Sequence, residues 1–570
     1  MKNNIVDISE VNIWEERADF IDDSTLLKWT ISTSHFQYLA SKISMQGALL
    51  LVGPRGSGKT HIMRYVFQDC RSNKKKPLPI YVTFGQYFKL EPLITKKANA
   101  QIIFHVWVLL KIIKGLKFVE SDGIENNITD YLAENDIYFE EIEVFIDNAE
   151  KGMYESNGIS EKLLEKVTIN LVQKLIRLVM ENMKRSRCIL LLDDAALTLT
   201  PEYLIEFFDV VRSIKARDIA PKVSVYPGTT EYGPRFHVQQ DAITLDIWKI
   251  DDSEQIKLMQ EIFNKRLKEK ADGINKDIVK IFMFAAFGIP RAFITLVHSY
   301  IESDIQNSQR KYNQIIKNQA TYLENEYSSI AQKLEQYKDI IDIGKKFFNS
   351  IVNNISALNK KLKLTKQVVY GLKKNDSEST LEKRMIQFLI EAGLLYPIGE
   401  VSHGTDRVYK RYVPHTLFLL NSKAFSKTRG FNSSEIIKNM NLNSEKHPLR
   451  DDIEGLLTKE EIESIKLNLP PCTSCGTSRI AESQKFCHSC GNELVNESKF
   501  QKCMKIKIKD LPLTEWRINK ITEETELKTI GDIYSHIQPA SELQKAKGIG
   551  KKRSSDTYEK VLRYIEEFLS

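Results

Sequence analysis

The stretch GPRGSGKT at residues 53–60 constrains this chain more than any other segment. It fits the pattern G-x-x-x-x-G-K-[ST] and follows an apolar run, GALLLV, at residues 47–52. We expect a buried strand, a loop whose backbone N–H groups surround an anion, and a helix whose N-terminus favours the same anion. The loop predicts a site for the phosphates of ATP, formed by Gly53, Pro54, Arg55, Gly56, Ser57, Gly58, Lys59 and Thr60. Lys59 adds a charge for the outer phosphates, and the Thr60 hydroxyl is a ligand for Mg²⁺.

A phosphate site of this kind needs an acidic residue at the end of a neighbouring strand to hold the metal. The apolar run CILLL at residues 188–192 ends in Asp193 and Asp194. We expect Asp193 to hold Mg²⁺ through water and Asp194 to polarise the attacking water. The alternative is that two adjacent aspartates merely end a strand as turn residues. Their position, about 130 residues after a phosphate loop and behind an apolar run, favours the metal site.

Apolar runs alternate with helical patterns over the first 250 residues. Further strands are predicted at 80–84, 223–226 and 242–247, and residues 160–183 have the period of one long amphipathic helix. This alternation predicts an α/β nucleotide-binding core with a parallel sheet over residues 1–250, in which an acidic segment at about 120–160 is a helical insertion. From residue 251 the helical period dominates, so we expect a helical lid at 251–303 and a connecting helix at 304–336.

Composition excludes several classes of protein. Of the 570 residues, 42% are hydrophobic and 28% are charged, so wholesale disorder is excluded. No apolar run reaches the ~18 residues that a membrane helix needs, and the N-terminal segment has no signal-peptide core. We therefore expect a cytoplasmic protein without membrane contact. Four of the seven cysteines lie within 19 residues, which indicates a metal rather than a disulfide framework.

The order of these motifs resembles that of the AAA+ ATPases, and within them the origin-recognition and archaeal initiator branch. The resemblance rests on the phosphate loop, the acidic pair and FGIPR at 287–291, and it covers about residues 25–420. It implies that Arg291 senses the γ-phosphate from the lid. It also implies that Thr229 or Thr230, after the strand at 223–226, is a polar sensor of the phosphate.

The same resemblance implies an arginine finger at Arg235, in the GPRF segment before the last strand. Arg212 and Arg217 on the preceding helix are rivals for this role. Because a finger acts on the nucleotide of the neighbouring subunit, the chain is expected to form a homo-oligomer.

The acidic pair departs from the pattern of the family, which usually has Asp-Glu where this chain has Asp193 and Asp194. An aspartate is one methylene shorter, so the carboxylate that activates water is pulled back. We therefore expect ATP binding with slow hydrolysis, by an ATPase whose catalytic residues are Lys59, Asp194, Arg291, Thr229 and Arg235.

Residues 337–422 resemble a winged helix, the domain that initiators of this branch carry after the lid, because they read as helix, turn, helix and β-hairpin. Residues 360–430 hold 14 Lys and Arg against 6 Asp and Glu, and a local basic excess is typical of contact with nucleic acid. The resemblance implies double-stranded DNA as a partner, with phosphate contacts from Lys383, Arg384, Arg407, Lys410 and Arg411. The alternative is a protein-interaction module with solvated lysines.

Two cysteine pairs follow, after a polar linker with one short helix that we expect at 423–468. Each pair has the form C-x-x-C-G, and 11 residues separate the two pairs. Four thiolates fit tetrahedral Zn²⁺ and leave no open position for catalysis, so a structural zinc ribbon is predicted at 469–494. Its ligands are Cys472, Cys475, Cys487 and Cys490. Redox cysteines are the alternative, and the sequence does not decide whether the ribbon binds DNA or protein.

The last segment, 500–570, resembles a helix-hairpin-helix domain and looks like the C-terminal domain of the bacterial RNA polymerase α subunit. A helix ends in Gly-Ile-Gly and restarts with basic residues, so backbone N–H groups are free to bind one DNA phosphate. The implied DNA contacts are Gly548, Gly550, Lys551, Lys552 and Arg553. Ser554 stands where the family usually has Ala, and such hairpins also bind proteins.

These segments together predict an ATP-dependent molecular switch that binds double-stranded DNA and assembles or recruits protein partners. Replication initiation, a mobile element and defence against phage are the settings that fit it. The alternative is a signalling or scaffold ATPase whose zinc ribbon and C-terminal domain bind proteins rather than DNA. A DNA affinity that falls steeply with salt would favour the first interpretation.

Overall fold

The computed structural model describes residues 13–15, 17–85, 90, 93, 99–121, 127–151, 161–194, 201–227, 230, 232–250, 252–363, 366–374, 379–404, 407–426, 431–441, 443–444, 449–480, 484, 486–492, 494, 499–536 and 538–569.

A sheet of five parallel strands forms the centre of the first 250 residues. The strands are β1 (Leu49–Val52), β2 (Leu78–Thr83), β3 (Cys188–Asp193), β4 (Ile219–Val225) and β5 (Ile243–Asp246). Their order is β2-β3-β4-β1-β5, and Thr83 is paired with Asp193 where β2 and β3 end. Strands β3 and β4 are buried along their whole length because helices cover both faces of the sheet. The predicted parallel α/β core is therefore confirmed.

Helices surround this sheet. They are α1 (Asp23–Trp29), α2 (Ser34–Ser44), α3 (Lys59–Ser72), α4 (Ala100–Glu120), α5 (Asn127–Glu134), α6 (Phe139–Lys151), α7 (Glu161–Lys166), α8 (Ile169–Asn182) and α9 (Pro201–Ile214). The residues predicted as an insertion include α5 and α6. The single helix predicted over 160–183 is instead two helices, because the Thr168 side chain accepts a hydrogen bond from Leu171 N and begins α8 there.

The next helices form a separate hydrophobic core. Helix α10 (Asp252–Ile262) continues into a π-helical turn at Phe263–Leu267, and α11 (Lys276–Ala285), α12 (Pro290–Glu302) and α13 (Ser308–Lys333) follow. Pro290 is at the start of α12. Its fixed φ suits the first turn, and the N–H that proline lacks would have had no partner within the helix there.

Residues 338–421 contain a hairpin between helices. The elements are α14 (Lys338–Lys361), β6 (Lys366–Gln367), β7 (Tyr370–Lys373), α15 (Thr380–Glu391), β8 (Leu395–Ser402), β9 (Val408–Pro414) and α16 (Thr416–Asn421). Strands β8 and β9 are antiparallel, and β7 joins the other edge of β9. A capping box of Ser379 and Glu382 begins α15, and Gly393, with a φ of 72°, follows its end.

The segment predicted as a linker, 423–468, differs from that prediction. It contains α17 (Ser433–Asn441), β10 (Asn443–Ser444), β11 (Arg450–Asp451), α18 (Ile453–Leu456) and α19 (Lys459–Glu463). Strands β10 and β11 pair in parallel with β6 and β7. Ile436, Met440 and Leu456 are buried in the same hydrophobic core as α14. A few apolar side chains at helical spacing thus hold a polar segment against the preceding elements.

The C-terminal part is helical. Its helices are α20 (Lys499–Lys505), α21 (Glu515–Glu524), α22 (Ile530–Tyr534), α23 (Pro539–Leu543) and α24 (Lys551–Leu569). Throughout the described parts of the chain, no helix combines the length and the apolar character that crossing a membrane requires.

Candidate functional site

The phosphate loop joins β1 to α3 and has the backbone that its glycines permit. Gly58 has a φ of 95°, in the left-handed region that favours glycine. Gly56 lies so close to the lid that a Cβ there would be 2.8 Å from the Cβ of Arg291. The Arg291 N–H also points at the Gly56 carbonyl, at 3.5 Å. The first turn of α12 therefore rests on the phosphate loop.

Lys59 is buried under the phosphate loop. Its ammonium donates hydrogen bonds to the carbonyls of Gly53 at 2.6 Å and Pro54 at 3.2 Å. It also lies 3.9 Å from the centre of the Tyr226 ring. Burial lowers the pKa of Lys59 to about 8, and the opposing attraction of Asp193 is smaller. The Lys59 ammonium therefore lies beside the loop, and its buried surroundings disfavour its positive charge.

Asp193 ends β3 and is fully buried. The Tyr81 hydroxyl donates to its Oδ2 at 2.9 Å, and the Asp194 N–H donates to its Oδ1 at 3.0 Å. Both oxygens are therefore oriented by fixed donors. Sequence reasoning missed Tyr81, because a tyrosine in a strand is typical of a hydrophobic core and carries no motif.

Asp194 has a strained backbone, with a φ of 54°. Its N–H also lies 3.0 Å from Ser224 Oγ on β4, and this contact helps to hold the turn after β3. The pKa of the Asp194 carboxyl is raised to about 7, chiefly by burial and next by the negative charge of Asp193. A carboxyl with this pKa is poised to accept a proton near neutral pH.

Several of these residues line one cavity of 660 Å³, and the fully buried Asp193 lies behind its wall. The loop from Gly56 to Thr60, Asp194 and Tyr226 line it from the core, and Arg291 lines it from the lid. The structure therefore brings together the predicted loop, the predicted water-activating carboxylate and the predicted lid arginine.

An N-terminal segment, residues 17–31, also borders the cavity. Arg64 on α3 donates to the carbonyls of Ala18 and Ile21. Arg266, in the π-helical turn of the lid, donates to the carbonyl of Ile13 at 2.6 Å and lies 4.1 Å from the Trp29 ring centre. Sequence reasoning missed these contacts because they join residues 43 to 253 positions apart, and no local pattern records such pairs.

Two predicted residues of the site have other positions. Thr229 lies outside the described residues, and the neighbouring Thr230 hydroxyl donates to the Tyr226 carbonyl at 3.0 Å. The Arg235 side chain is 70% exposed and contacts Asp209 at 3.2 Å, away from the cavity of its own chain. A finger that acts on a neighbouring subunit would be exposed in this way, so the role of Arg235 stays a prediction.

A model of the ORC-CDC6-like family matches residues 15–386. The chain belongs to the ORC-CDC6-like family. No curated protein matches it. The family is one of AAA+ ATPases, which use a nucleotide and Mg²⁺, and the predicted resemblance is thereby confirmed over the matched residues. The matched part of this ORC-CDC6-like chain contains the whole cavity and ends within α15.

The four cysteines of the C-terminal pairs come together as a possible metal site. Their Sγ atoms all lie within 4.8 Å of one another, with Cys472 to Cys490 at 3.6 Å and Cys475 to Cys487 at 3.5 Å. Zinc–sulfur bonds of about 2.3 Å in a tetrahedron place the sulfurs ~3.8 Å apart, so the four residues fit Zn²⁺. His488, between the second pair, is exposed.

The turns that carry these cysteines have the same backbone. The N–H of Gly476 donates to the Cys472 carbonyl at 2.8 Å, and that of Gly491 donates to the Cys487 carbonyl at 2.9 Å. N–H groups of Cys475 and Ser474 hold the pKa of the Cys472 thiol below its usual value. This favours the thiolate that a metal requires.

Basic residues predicted to contact DNA differ in how they are held. Lys383 on α15 and Arg407 before β9 are exposed. The Arg384 guanidinium lies 5.4 Å from the Tyr337 ring centre, and Arg411 donates to the Ile398 carbonyl at 3.2 Å. Lys410, on β9, is half-buried. Lys383 and Arg407 thus have charges that face solvent.

The predicted C-terminal hairpin precedes α24. Gly548 has a φ of 87°, and a Cβ there would be 3.0 Å from the Trp516 ring. Arg553 donates to the Gly548 carbonyl at 2.9 Å and lies 5.4 Å from the Trp516 ring centre, so it supports the turn from below. Gly550, Lys551 and Lys552 are exposed.

Proposed function

We propose that this chain is an ATP-dependent molecular switch that binds double-stranded DNA and assembles or recruits partners in a nucleotide-dependent way. One observation carries this proposal. A Cβ built on Gly393, which follows the end of α15, would lie 3.6 Å from Ile289 of the lid and 4.0 Å from Pro54 of the phosphate loop. The turn after the proposed DNA-recognition helix therefore lies beside the loop that would hold phosphates.

Further contacts support this coupling. Trp248, which follows β5, donates from its indole N–H to the Phe287 carbonyl at 2.8 Å. The rings of Trp248 and Tyr396 meet at 4.8 Å, and Tyr396 belongs to β8. Core, lid and hairpin strands thus pack at one point, and a shift of the lid on nucleotide binding would be passed to the hairpin.

In the proposed mechanism each residue has one task. The loop N–H groups and Lys59 hold the outer phosphates, and Arg291 senses the terminal one. Thr60 and Asp193 would hold Mg²⁺, which neutralises phosphate charge when bound. Asp194 accepts a hydrogen bond from the attacking water and orients it toward the terminal phosphate. Arg235 of one subunit would complete the site of the next, and Thr229 would sense the phosphate.

The winged helix and the C-terminal hairpin are proposed to bind DNA, and the zinc ribbon is proposed to bind DNA or protein. We assign 337–422 as a winged helix with Lys383, Arg384, Arg407, Lys410 and Arg411 toward phosphates. We assign 469–494 as a zinc ribbon and 500–570 as a helix-hairpin-helix domain that uses Gly548, Gly550 and Lys551–Arg553. Replication initiation, a mobile element and phage defence are the proposed settings.

A second candidate function is a signalling or scaffold ATPase whose C-terminal modules bind proteins. The observation that favours it is the placement of Arg384, Arg411 and Arg553. Each contacts a ring or a carbonyl of its own chain, so the positive charge available for DNA is smaller than the sequence suggests.

A titration of labelled double-stranded DNA, with and without ATP and at several salt concentrations, tests the proposal. We expect affinity to depend on ATP and to fall steeply with salt. Lys59→Ala should abolish ATP binding and with it the effect of ATP on DNA affinity. DNA binding that is absent, or that ignores salt, would favour the scaffold function.

A further inference from the structure

The wall of the phosphate cavity contains an ion pair that the proposed mechanism does not use. Lys111 on α4 and Glu150 on α6 both line the cavity, with 2.7 Å between Nζ and Oε1. Their side chains are 17% and 16% exposed. Glu150 belongs to the insertion predicted at about 120–160, so the insertion contributes directly to the wall of the cavity.

Neighbouring contacts place Lys111 level with the carboxyl end of β2. One turn before it, the Trp107 ring meets Phe84 at 5.6 Å, just after β2 ends. One turn after it, a Cβ on Gly115 would lie 3.1 Å from the Tyr81 carbonyl within β2. The end of β2 is paired with Asp193 through Thr83, so Lys111 stands on the side of the cavity where the acidic pair lies.

We propose that Lys111 binds the terminal phosphate of the nucleoside triphosphate, and that Glu150 is a positioning residue that limits the strength of this contact. The proposal rests on the proposed nucleotide site. A half-buried ammonium attracts a phosphate more strongly than an exposed one, because water screens it less. A carboxylate at 2.7 Å competes for the same ammonium and repels the phosphate. The insertion thereby sets the difference between the affinity of the site for ATP and its affinity for ADP.

Opposite changes on the two partners test this idea in the full-length protein. Lys111→Met should weaken ATP binding by at least about tenfold and leave ADP affinity within about twofold, because ADP lacks the terminal phosphate. Glu150→Gln should strengthen ATP binding, since it removes a negative charge and frees the ammonium. Lys111→Arg should keep most of the ATP affinity. Binding of a fluorescent ATP and ADP analogue is the measurement, with competition by unlabelled nucleotide.

Lys117→Met is the matched control. Lys117 lies on the same helix and pairs with Glu120 at 2.8 Å, but it does not line the cavity. Its loss should leave both affinities unchanged. If the Lys111–Glu150 ion pair only held the insertion against α4, Lys111→Met and Glu150→Gln would lower the affinities for ATP and for ADP together. That result, or a Lys111→Met variant with the ATP affinity of the parent, overturns the proposal.

The parent and Lys59→Ala separate this inference from the proposed function. If the parent binds ATP and Lys59→Ala does not, the proposed nucleotide site is supported, whatever the result for Lys111→Met. A parent that binds neither nucleotide would overturn both. Thermal unfolding of each variant identifies a loss of binding that is caused by loss of the fold.

Discussion

The pH dependence of ATP hydrolysis should report two residues of the cavity. In the free protein the pKa of Asp194 is raised to about 7 and that of Lys59 is lowered to about 8. The ratio kcat/KM follows the ionisation of the free enzyme. Asp194 must be ionised to accept a hydrogen bond from water, so the rate falls as the pH drops below about 7. Lys59 must be protonated to attract phosphate, so the rate falls as the pH rises above about 8.

The size of the effect follows from these two values. With an ionised Asp194 and a protonated Lys59 required, kcat/KM has its maximum near pH 7.5 and is about sevenfold lower at pH 6 and at pH 9. Phosphate release at low ATP concentration, measured in buffers of constant ionic strength, gives this profile. A rate that is flat over this range would refute the assignment of both groups.

Substitution identifies which group produces the acidic side of the profile. Asp194→Asn should lower turnover by at least about 100-fold, retain ATP binding and lose the acidic decline. Asp194→Glu extends the carboxylate by one methylene toward the nucleotide and should speed turnover. An Asp194→Asn variant that hydrolyses ATP at the rate of the parent would show that another residue orients the water.

Three further results are expected. Tyr81→Phe removes a donor to the buried Asp193 carboxylate and should reduce turnover by about tenfold or more, with an unchanged phosphate loop; ATPase assays check this. Elemental analysis should find one Zn²⁺ per chain, lost in Cys487→Ser, and chelation should leave ATPase activity intact if the ribbon is a separate module. Charge reversal at Lys383 and Arg407 should reduce the salt dependence of DNA binding by about 0.9 per lost phosphate contact, whereas the same change at Lys117 of α4 should not.

The phosphate site was predictable because its signals are local. Gly53 to Thr60 are consecutive, and Asp193 and Asp194 directly follow a run of apolar residues. Backbone geometry at the glycines then follows from the pattern alone. The contacts of the site with Tyr81, Arg64 and Lys111 were not predictable, because each joins elements that are distant in the chain and common in composition.

The folding of the segment at 423–468 was not predictable from its composition. Its composition is polar, so it reads as a linker, yet Ile436, Ile437 and Met440 are buried. Three or four apolar side chains can fix such a segment only where a complementary surface exists. That surface belongs to α11, where the Ser434 hydroxyl also donates to Asp277 at 2.6 Å. Local propensity is a weak guide when tertiary packing decides the outcome.

The folding of this segment limits how far the cysteine module, which contains Cys472, Cys475, Cys487 and Cys490, can move. The N–H of Asn468 donates to the Gln336 carbonyl at 2.8 Å, only a few residues before Cys472. On the other side of the cysteines, Lys502 lies 3.6 Å from the neighbouring Glu335. The chain therefore contacts the same turn, between α13 and α14, both before and after the cysteines. A flexible tether of 46 residues would let the module sweep a radius of roughly 37 Å, whereas three free residues allow a reach of about 10 Å. Any ligand of the cysteine module must therefore come to that turn. If α15 holds a duplex as proposed, the fold rather than diffusion of a tail sets the distance between that ligand and the duplex.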